Sequence, residues 1–222
     1  MSSTGQGIAQ KVQLRFSKTG ALRFLSHHDV MRLFARACRR AGLPLRLTQG
    51  FDPRPRMVFA TALELGIESH SEAVDLELSR WVPPQKVRAE IASALPEGME
   101  ITAAKLLPPK RSGERPVEMS YRVLPPGSPA TQGITPARIR EFLAREQLLF
   151  ERPREKRIQR LDLRPSLLDL ELDAREGSLA IRLRPTQHGT ARPAEILSLL
   201  SEKPLTETRS WPTTKTAMQM AP

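Results

Sequence analysis

The order of strand and helix patterns in this sequence repeats, and that repeat limits the folds open to the chain more than any other feature. Over residues 11–107 the periodicities predict a strand, a helix, two or three strands, a second helix and a closing strand. This is the order of the split βαβ, or ferredoxin-like, arrangement. It returns in weaker form over residues 117–202. We therefore predict an α+β fold of two tandem ferredoxin-like units with antiparallel sheets.

The bounds of these elements come from alternating apolar residues and from helix punctuation. Ser26, with Asp29 three residues on, approximates a capping box that begins the first helix, and Gly42 ends it. Pro83 and Pro84 begin a second helix that runs to about residue 95. The predicted strands are 12–16, 45–48, 57–63, 73–78 and 99–107, then 118–124, 148–152, 157–163, 167–173 and 179–184, with later helices at 136–147 and 193–200.

The segments outside the two blocks are predicted to be loosely structured. They are a flexible leader over residues 1–10, a linker over 108–116 and a loose tail over 203–222. The leader lacks the apolar core of a signal peptide, and no apolar run reaches the roughly 18 residues that span a membrane. Cys38 is the single cysteine, which excludes an internal disulfide and a cysteine-ligated zinc or iron–sulfur site. We expect a cytoplasmic protein with no cofactor of its own and no membrane contact.

Nearly all of the net charge lies in the N-terminal part of the chain. Residues 1–56 contain 11 Lys and Arg against two acids, a net charge of +9, whereas the whole chain carries +11. Arg outnumbers Lys by 27 to 8, and the planar guanidinium suits phosphate. A GC-rich genome produces the same bias toward Arg but does not confine it to one segment. Such confinement indicates a surface that binds a polyanion.

The predicted first helix has an apolar face and a basic face. At about 100° per residue, Val30, Phe34, Ala37, Cys38 and Ala41 fall on one side of it. The opposite side carries arginines about one helical turn apart, whose positive charges repel each other, so an anion bound between them would be stabilising. A solvated basic face without a specific ligand is the alternative. The arginines of this side are Arg32, Arg36, Arg39 and Arg40.

The loop behind this helix supplies further candidate phosphate ligands. The run from Gln49 to Arg56 cannot be helical, because Gly50 permits an unusual turn and the prolines at 53 and 55 stiffen the chain. Phe51 either plugs the core below the loop, which we favour, or stacks on a base. The complete set of candidate RNA- or anion-binding residues is Arg23, Arg32, Arg36, Arg39, Arg40, Arg46, Gln49, Phe51, Arg54 and Arg56.

Evidence for catalysis or metal binding is weaker. His27 beside Ser26 and Asp29 suggests a general base, but successive helical side chains diverge by about 100°. Ser26 and Asp29 are more simply explained as helix caps, so a catalytic His27 is a minor alternative. The four histidines show no ligand spacing. The acidic residues between 64 and 77 are expected to pair with the basic loop, with Asp75 and Glu77 on a solvent face, so no metal site is predicted.

Several motifs resemble those of the radical-SAM-linked protein family, a bacterial domain of unknown function encoded beside or fused behind a radical SAM protein. They cover roughly residues 10–202, and His28, Thr48 and Asp52 depart from the family's usual pattern. Asp52 in place of asparagine removes an amide donor. The motifs are Arg23-Phe-Leu-Ser-His-His-Asp29 with Arg32, Arg39-Arg-Ala-Gly-Leu-Pro44, Gln49-Gly-Phe-Asp-Pro-Arg-Pro-Arg56, Leu65-Gly-Ile-Glu-Ser69, residues 156–165 ending in Asp162-Leu-Arg-Pro165, and Arg192-Pro-Ala-Glu-Ile-Leu197.

The resemblance implies a radical SAM partner that carries the iron–sulfur cluster, and it leaves the chemistry of this chain open. Genes of this family often lie near those for ribonucleases and ribosomal proteins, which favours RNA. We expect a non-catalytic accessory protein that binds tRNA or rRNA for modification by that partner. One alternative is a protein–protein adaptor without RNA binding. Another is a metal-independent endoribonuclease, by analogy with CRISPR repeat-processing enzymes built from tandem ferredoxin-like units.

Overall fold

The computed structural model describes residues 10–108, 114–154, 157–187 and 189–221. The fold is mixed α+β, with mostly antiparallel sheet and a few helices. The chain divides into two compact units between Arg115 and Pro116. In the part of the chain that the structure describes, no helix has both the length and the apolar character that crossing a membrane requires.

The N-terminal unit is a four-stranded antiparallel sheet with two long helices. Its sheet order is β4-β1-β3-β2, and the register pairs Val12 of β1 with Leu76 of β3 and with Leu106 of β4. A short 3-10 helix precedes the first long helix. The elements are β1 (Gln10–Lys18), α1 (His27–Arg40), β2 (Met57–Phe59), β3 (Glu68–Leu78), α2 (Pro84–Ala94) and β4 (Ile101–Leu107).

The core of this unit lies between the sheet and the apolar faces of its helices. Nearly all of β1 is buried, and its residues Val12, Leu14 and Phe16 share one apolar core cluster with buried residues of α1. Phe34 of α1 packs between Phe16 and Phe59, with ring centroids 4.8 Å and 5.5 Å away. These contacts fix the rotation of α1 about its own axis.

Within the C-terminal unit the strands pair in the order β10-β5-β9-β8, and β6 and β7 form a separate hairpin. Strands β5 and β8 both pair antiparallel with β9. The side chain of Arg152 makes a buried bidentate pair with Glu195, at 2.6 Å and 2.7 Å. The elements are β5 (Arg115–Val123), α3 (Pro136–Ala144), β6 (Leu149–Arg154), β7 (Arg157–Asp162), β8 (Leu167–Asp173), β9 (Ser178–Leu183), α4 (Pro193–Ser201), α5 (Leu205–Thr208) and β10 (Thr213–Ala221).

Two predicted segments differ from the structure. The loose tail over 203–222 is wrong, because Leu205–Thr208 form the helix α5 and Thr213–Ala221 form the strand β10. Thr213 and Lys215 fill buried positions in that strand, so its burial does not follow an apolar alternation. The strand predicted at 45–48 is reduced to isolated bridges at Leu45 and Leu47.

The other predicted boundaries shift by a few residues or cannot be compared. Strand 57–63 is shortened to Met57–Phe59, and the next strand begins earlier, at Glu68. The linker over 108–116 ends sooner, because Arg115 already belongs to β5. Residues 109–113 of that linker, and residues 1–9 of the leader, lie outside the described residues.

A matched pair of substitutions tests whether β10 is part of the C-terminal unit. Met218 is 3% exposed, whereas its neighbour Gln219 is exposed. Met218→Ala should lower the free energy of unfolding by about 2 kcal/mol or more, because it removes buried apolar contacts. Gln219→Ala should change it by less than about 0.5 kcal/mol. Chemical denaturation measures both, and equal, negligible effects would contradict the assignment of this segment to the folded unit.

Candidate nucleic-acid interface

Helix α1 begins with a capping box. The Ser26 hydroxyl accepts a hydrogen bond from the Asp29 backbone N–H at 3.2 Å, and the Asp29 carboxylate accepts one from the Ser26 N–H at 3.3 Å. The Ser26 hydroxyl also donates to that carboxylate at 2.6 Å, and this bond lowers the pKa of Asp29. Both side chains thus satisfy the helix start, as predicted, and neither is directed at His27.

The two faces of α1 are those that the sequence predicts. Val30, Phe34, Ala37 and Cys38 are buried, and burial raises the pKa of the Cys38 thiol to about 12, which keeps it protonated and unreactive. The four arginines of the other face, Arg32, Arg36, Arg39 and Arg40, are all exposed.

The arginines of α1 differ in how far they are already neutralised. Arg32 lies 3.5 Å from Asp29 in an exposed ion pair, and Arg40 donates to the carbonyl of Ala94 at the end of α2. Arg36 and Arg39 make no hydrogen bond or ion pair with any residue in the described ranges. These two guanidinium groups therefore keep their full capacity to bind an anion.

The basic loop after α1 is closed into a small hairpin. Leu47 and Pro55 form a β-bridge. The Thr48 N–H donates a hydrogen bond to the Arg54 carbonyl at 2.8 Å, and the Arg54 N–H donates one to the Thr48 hydroxyl at 2.9 Å. The loop is thus held by its own hydrogen bonds as well as by its prolines.

The arginines of this loop, unlike Arg36 and Arg39 of α1, have acidic partners. Arg46 and Arg56 both reach Glu77 of β3, at 3.1 Å and 3.7 Å, in a partly buried cluster. Arg54 pairs with Asp52 at 2.8 Å in an exposed contact. The predicted pairing of the acidic stretch with the basic loop is confirmed for Glu77, and these arginines add less positive potential than their number indicates.

The tip of the loop is exposed. Phe51 has 112% of its reference area accessible, so the prediction that it plugs the core is wrong. Phe16, Phe34 and Phe59 pack against one another in the core without it. Gln49 is also exposed. Both side chains are accessible to a ligand.

Arg23 lies apart from the arginine face of α1. Its guanidinium stacks over Phe24 at 4.7 Å and pairs with Glu68 at 3.2 Å. Glu68 also accepts a hydrogen bond from the N–H of Gly20 at 3.0 Å. Arg23 therefore ties the 3-10 helix to the start of β3, and it remains 41% exposed.

His27 borders a small cavity that the sequence does not predict. The cavity is also lined by Lys18, Thr61 and Glu72, and its volume of about 10 Å³ is roughly that of one water molecule. His27 packs edge-on against Phe59, with centroids 5.4 Å apart. Burial lowers the pKa of His27, the neighbouring His28 lowers it further and Glu72 raises it. A cavity of this size does not admit a phosphodiester.

The buried charges of this cavity have structural partners. Lys18 donates to the carbonyls of Arg23 and Leu25 at 3.3 Å and 3.4 Å, which anchors the segment before α1. Glu72 accepts from Ser69 at 2.7 Å and from Thr61 at 2.8 Å. The sequence does contain a signal for the burial of these two charges. Lys18 and Glu72 each stand at the end of an otherwise apolar alternation, so they lie on the same face of the strand as the core residues.

The acidic residues of β3 do not form a metal site. Among the described residues, no group of three or more His, Cys, Asp and Glu side chains is placed to hold a metal ion. Asp75 is 5% exposed, so its predicted position on a solvent face is wrong. It lies 3.5 Å from Lys11 and accepts a hydrogen bond from Gln13 at 3.0 Å.

The sequence matches a family described as "Uncharacterized protein conserved in bacteria (DUF2344)" over residues 11–193. The chain belongs to this family. Nothing in that description refers to radical SAM proteins. No curated protein matches the chain. Among solved structures, a chain of the "Crystal Structure of a Cbf5-Nop10-Gar1 Complex" is similar at 11% identity with a TM-score of 0.48, covering 95% of this chain and 49% of that one. The chain thus spans about half of that chain, and a likeness this weak supports no argument about function.

The lowered pKa of His27 predicts a pH-dependent stability. The pKa of His27 is about 6.5 in the unfolded chain and lower in the folded chain, so the unfolded chain takes up a proton first as the pH falls. Wild type should therefore lose stability as the pH falls from about 7.5 to 5.5, and His27→Gln should lose less. Denaturation curves at several pH values give the difference. A steeper loss in His27→Gln would contradict the lowered pKa of this histidine.

Proposed function

We propose that this protein binds RNA through the exposed arginine face of α1 and serves as an accessory subunit for a radical SAM partner. The observation that supports it best is that Arg36 and Arg39 are exposed and without an ionic partner among the described residues. A phosphate backbone supplies the missing counter-charges.

The geometry of α1 makes this surface suitable for a phosphate chain. Residues three or four apart on a helix are neighbours, about 5–6 Å between Cβ atoms. Arg32, Arg36, Arg39 and Arg40 therefore form one strip along the helix, in which the positive charges repel one another. Binding an RNA backbone along the strip relieves this repulsion and releases counterions. Phe51 and Arg54 of the loop that follows α1 in the chain are also exposed and accessible to RNA.

The radical SAM partner is inferred from the sequence motifs alone. Such a partner would hold the iron–sulfur cluster, since Cys38 is the single cysteine of this sequence and is buried in the core. In this proposal the present chain holds the RNA, and the modification chemistry belongs to the partner. RNA cleavage through His27 has less support, because the cavity beside His27 is closed to a phosphodiester.

We also propose that each unit is ferredoxin-like. In each unit, with the β6-β7 hairpin left out of the count, the strand that comes fourth along the chain lies next to the first, followed by the third and the second. On this interpretation the β6-β7 hairpin is an insertion in the C-terminal unit.

Charge reversal at the unpaired arginines tests the RNA-binding proposal. Arg36→Glu and Arg39→Glu should each weaken binding of total tRNA or rRNA fragments on the order of tenfold at low salt. Each should also reduce the slope of log affinity against log salt by about 1. Arg140→Glu is the matched control, because Arg140 is an exposed helical arginine of α3 that has no ionic partner in the described ranges.

The outcomes separate the alternatives. RNA binding that is unchanged in both α1 variants would contradict this surface, and equal losses in Arg140→Glu would indicate nonspecific attraction to a basic protein. A radical SAM protein that co-purifies with wild type but not with the α1 variants, without RNA, would favour the adaptor. Fluorescence anisotropy with labelled RNA measures the RNA affinity, and co-purification from the native cells measures binding of the radical SAM partner.

A further inference from the structure

An open groove lies at the far end of α1 from His27. One wall is formed by residues 41–44, which directly follow the helix, and the other by residues 80–83 with Lys86 and Glu90 of α2. Its volume is about 270 Å³, close to the lower limit of roughly 300 Å³ for typical ligand pockets. This is large enough for a flat group, and its lining combines an aromatic ring with charged side chains.

Trp81 is the aromatic side chain of this groove, and it is 64% exposed. Its indole makes no hydrogen bond to a residue of the described ranges. An exposed tryptophan is costly to solvate and is enriched where a protein binds a partner. The second tryptophan of the sequence, Trp211, is by contrast 2% exposed.

The backbone on both sides of Trp81 is fixed. Ser79 donates two hydrogen bonds, from its N–H and its hydroxyl, to the carbonyl of Pro44 at 2.9 Å and 3.1 Å. Val82 exchanges two hydrogen bonds of 2.7 Å with the side-chain amide of Gln10. The ring is thus carried on a short segment held at both ends, so little order has to be gained when a ligand stacks on it.

The charges around Trp81 favour a phosphate-bearing ligand. Arg80 and Lys86 are exposed and make no ion pair with any residue that the structure describes, while Glu90 is the one acidic side chain lining the groove. The groove begins at Ala41, the C-terminal cap of α1, which directly follows Arg40 in the sequence. An aromatic platform flanked by cations that line a path for the backbone is the arrangement that binds single-stranded nucleic acid.

We propose that the groove binds an unpaired segment of RNA, with one base stacked on Trp81 and the adjoining phosphates held by Arg80 and Lys86. The inference rests on the proposed function, because the ligand of the groove is the RNA that is proposed to bind the arginine face of α1. It adds a preference for single strands that the arginine face does not provide, because the interior bases of a duplex are already stacked and only its terminal pairs could reach Trp81.

Tryptophan fluorescence and affinity together test this site. The probe is a single-stranded oligoadenylate of roughly twelve nucleotides, compared with a blunt RNA duplex of the same length. Oligoadenylate should quench the emission of wild type but not of Trp81→Phe, in which Trp211 alone emits. Trp81→Ala should weaken oligoadenylate binding on the order of tenfold with an unchanged salt slope, and Trp81→Phe should weaken it less.

The charge variants separate this inference from the proposal on which it rests. Arg80→Glu and Lys86→Glu should each lower the salt slope for oligoadenylate by about 1, and Arg140→Glu should not. Arg36→Glu could lose RNA binding while Trp81→Ala keeps the wild-type affinity for oligoadenylate and the wild-type quenching of tryptophan emission. That result would contradict the groove site and would still support the arginine face. Absence of any RNA binding by wild type would overturn both. Quenching of Trp81 by polyglutamate but not by oligoadenylate would assign the groove to an acidic protein segment instead.

Discussion

The packing of α1 on the sheet is the constraint on which the N-terminal unit depends. Phe34 is fully buried against Phe16 and Phe59, and burial of one such side chain contributes about 1.5–3 kcal/mol. Rotating the helix would expose Phe34 and Cys38 and bury arginine, so one orientation is strongly preferred. Since side chains on a helix advance by about 100°, the same packing that stabilises the unit turns the four arginines toward solvent.

This packing also determines what lies at each end of the helix. At its start, Lys18 and Glu72 replace apolar residues at the edge of the core, and their hydrogen bonds fix the segments that lead into and past α1. At its end, Gly42 adopts a φ of 61° and lets the chain turn sharply toward Pro44, where Ser79 holds it. The groove beside Trp81 exists because the helix stops there.

The features that the sequence predicted are those determined by neighbouring residues. The capping box of Ser26 and the two faces of α1 follow from spacing within a dozen residues, and both are confirmed. The burial of Asp75 beside Lys11 and Gln13, and the partners of Arg46, depend on strands that meet only in the folded chain. β10 was missed for the same reason, since Lys215 is an acceptable buried residue only where the tertiary structure accommodates its charge.

Charge in the sequence therefore differs from charge available to a ligand. The loop arginines look equivalent to those of α1 in composition, yet Arg46 and Arg56 share Glu77, and replacing either alters a partly buried ion cluster. Stability and binding are coupled at those positions. At Arg36 and Arg39 they are separable, because these side chains touch neither the core nor an acid within the described residues. A loss of RNA affinity there would report on the surface itself rather than on a weakened fold, which is why the unpaired arginines carry more information than the more numerous paired ones.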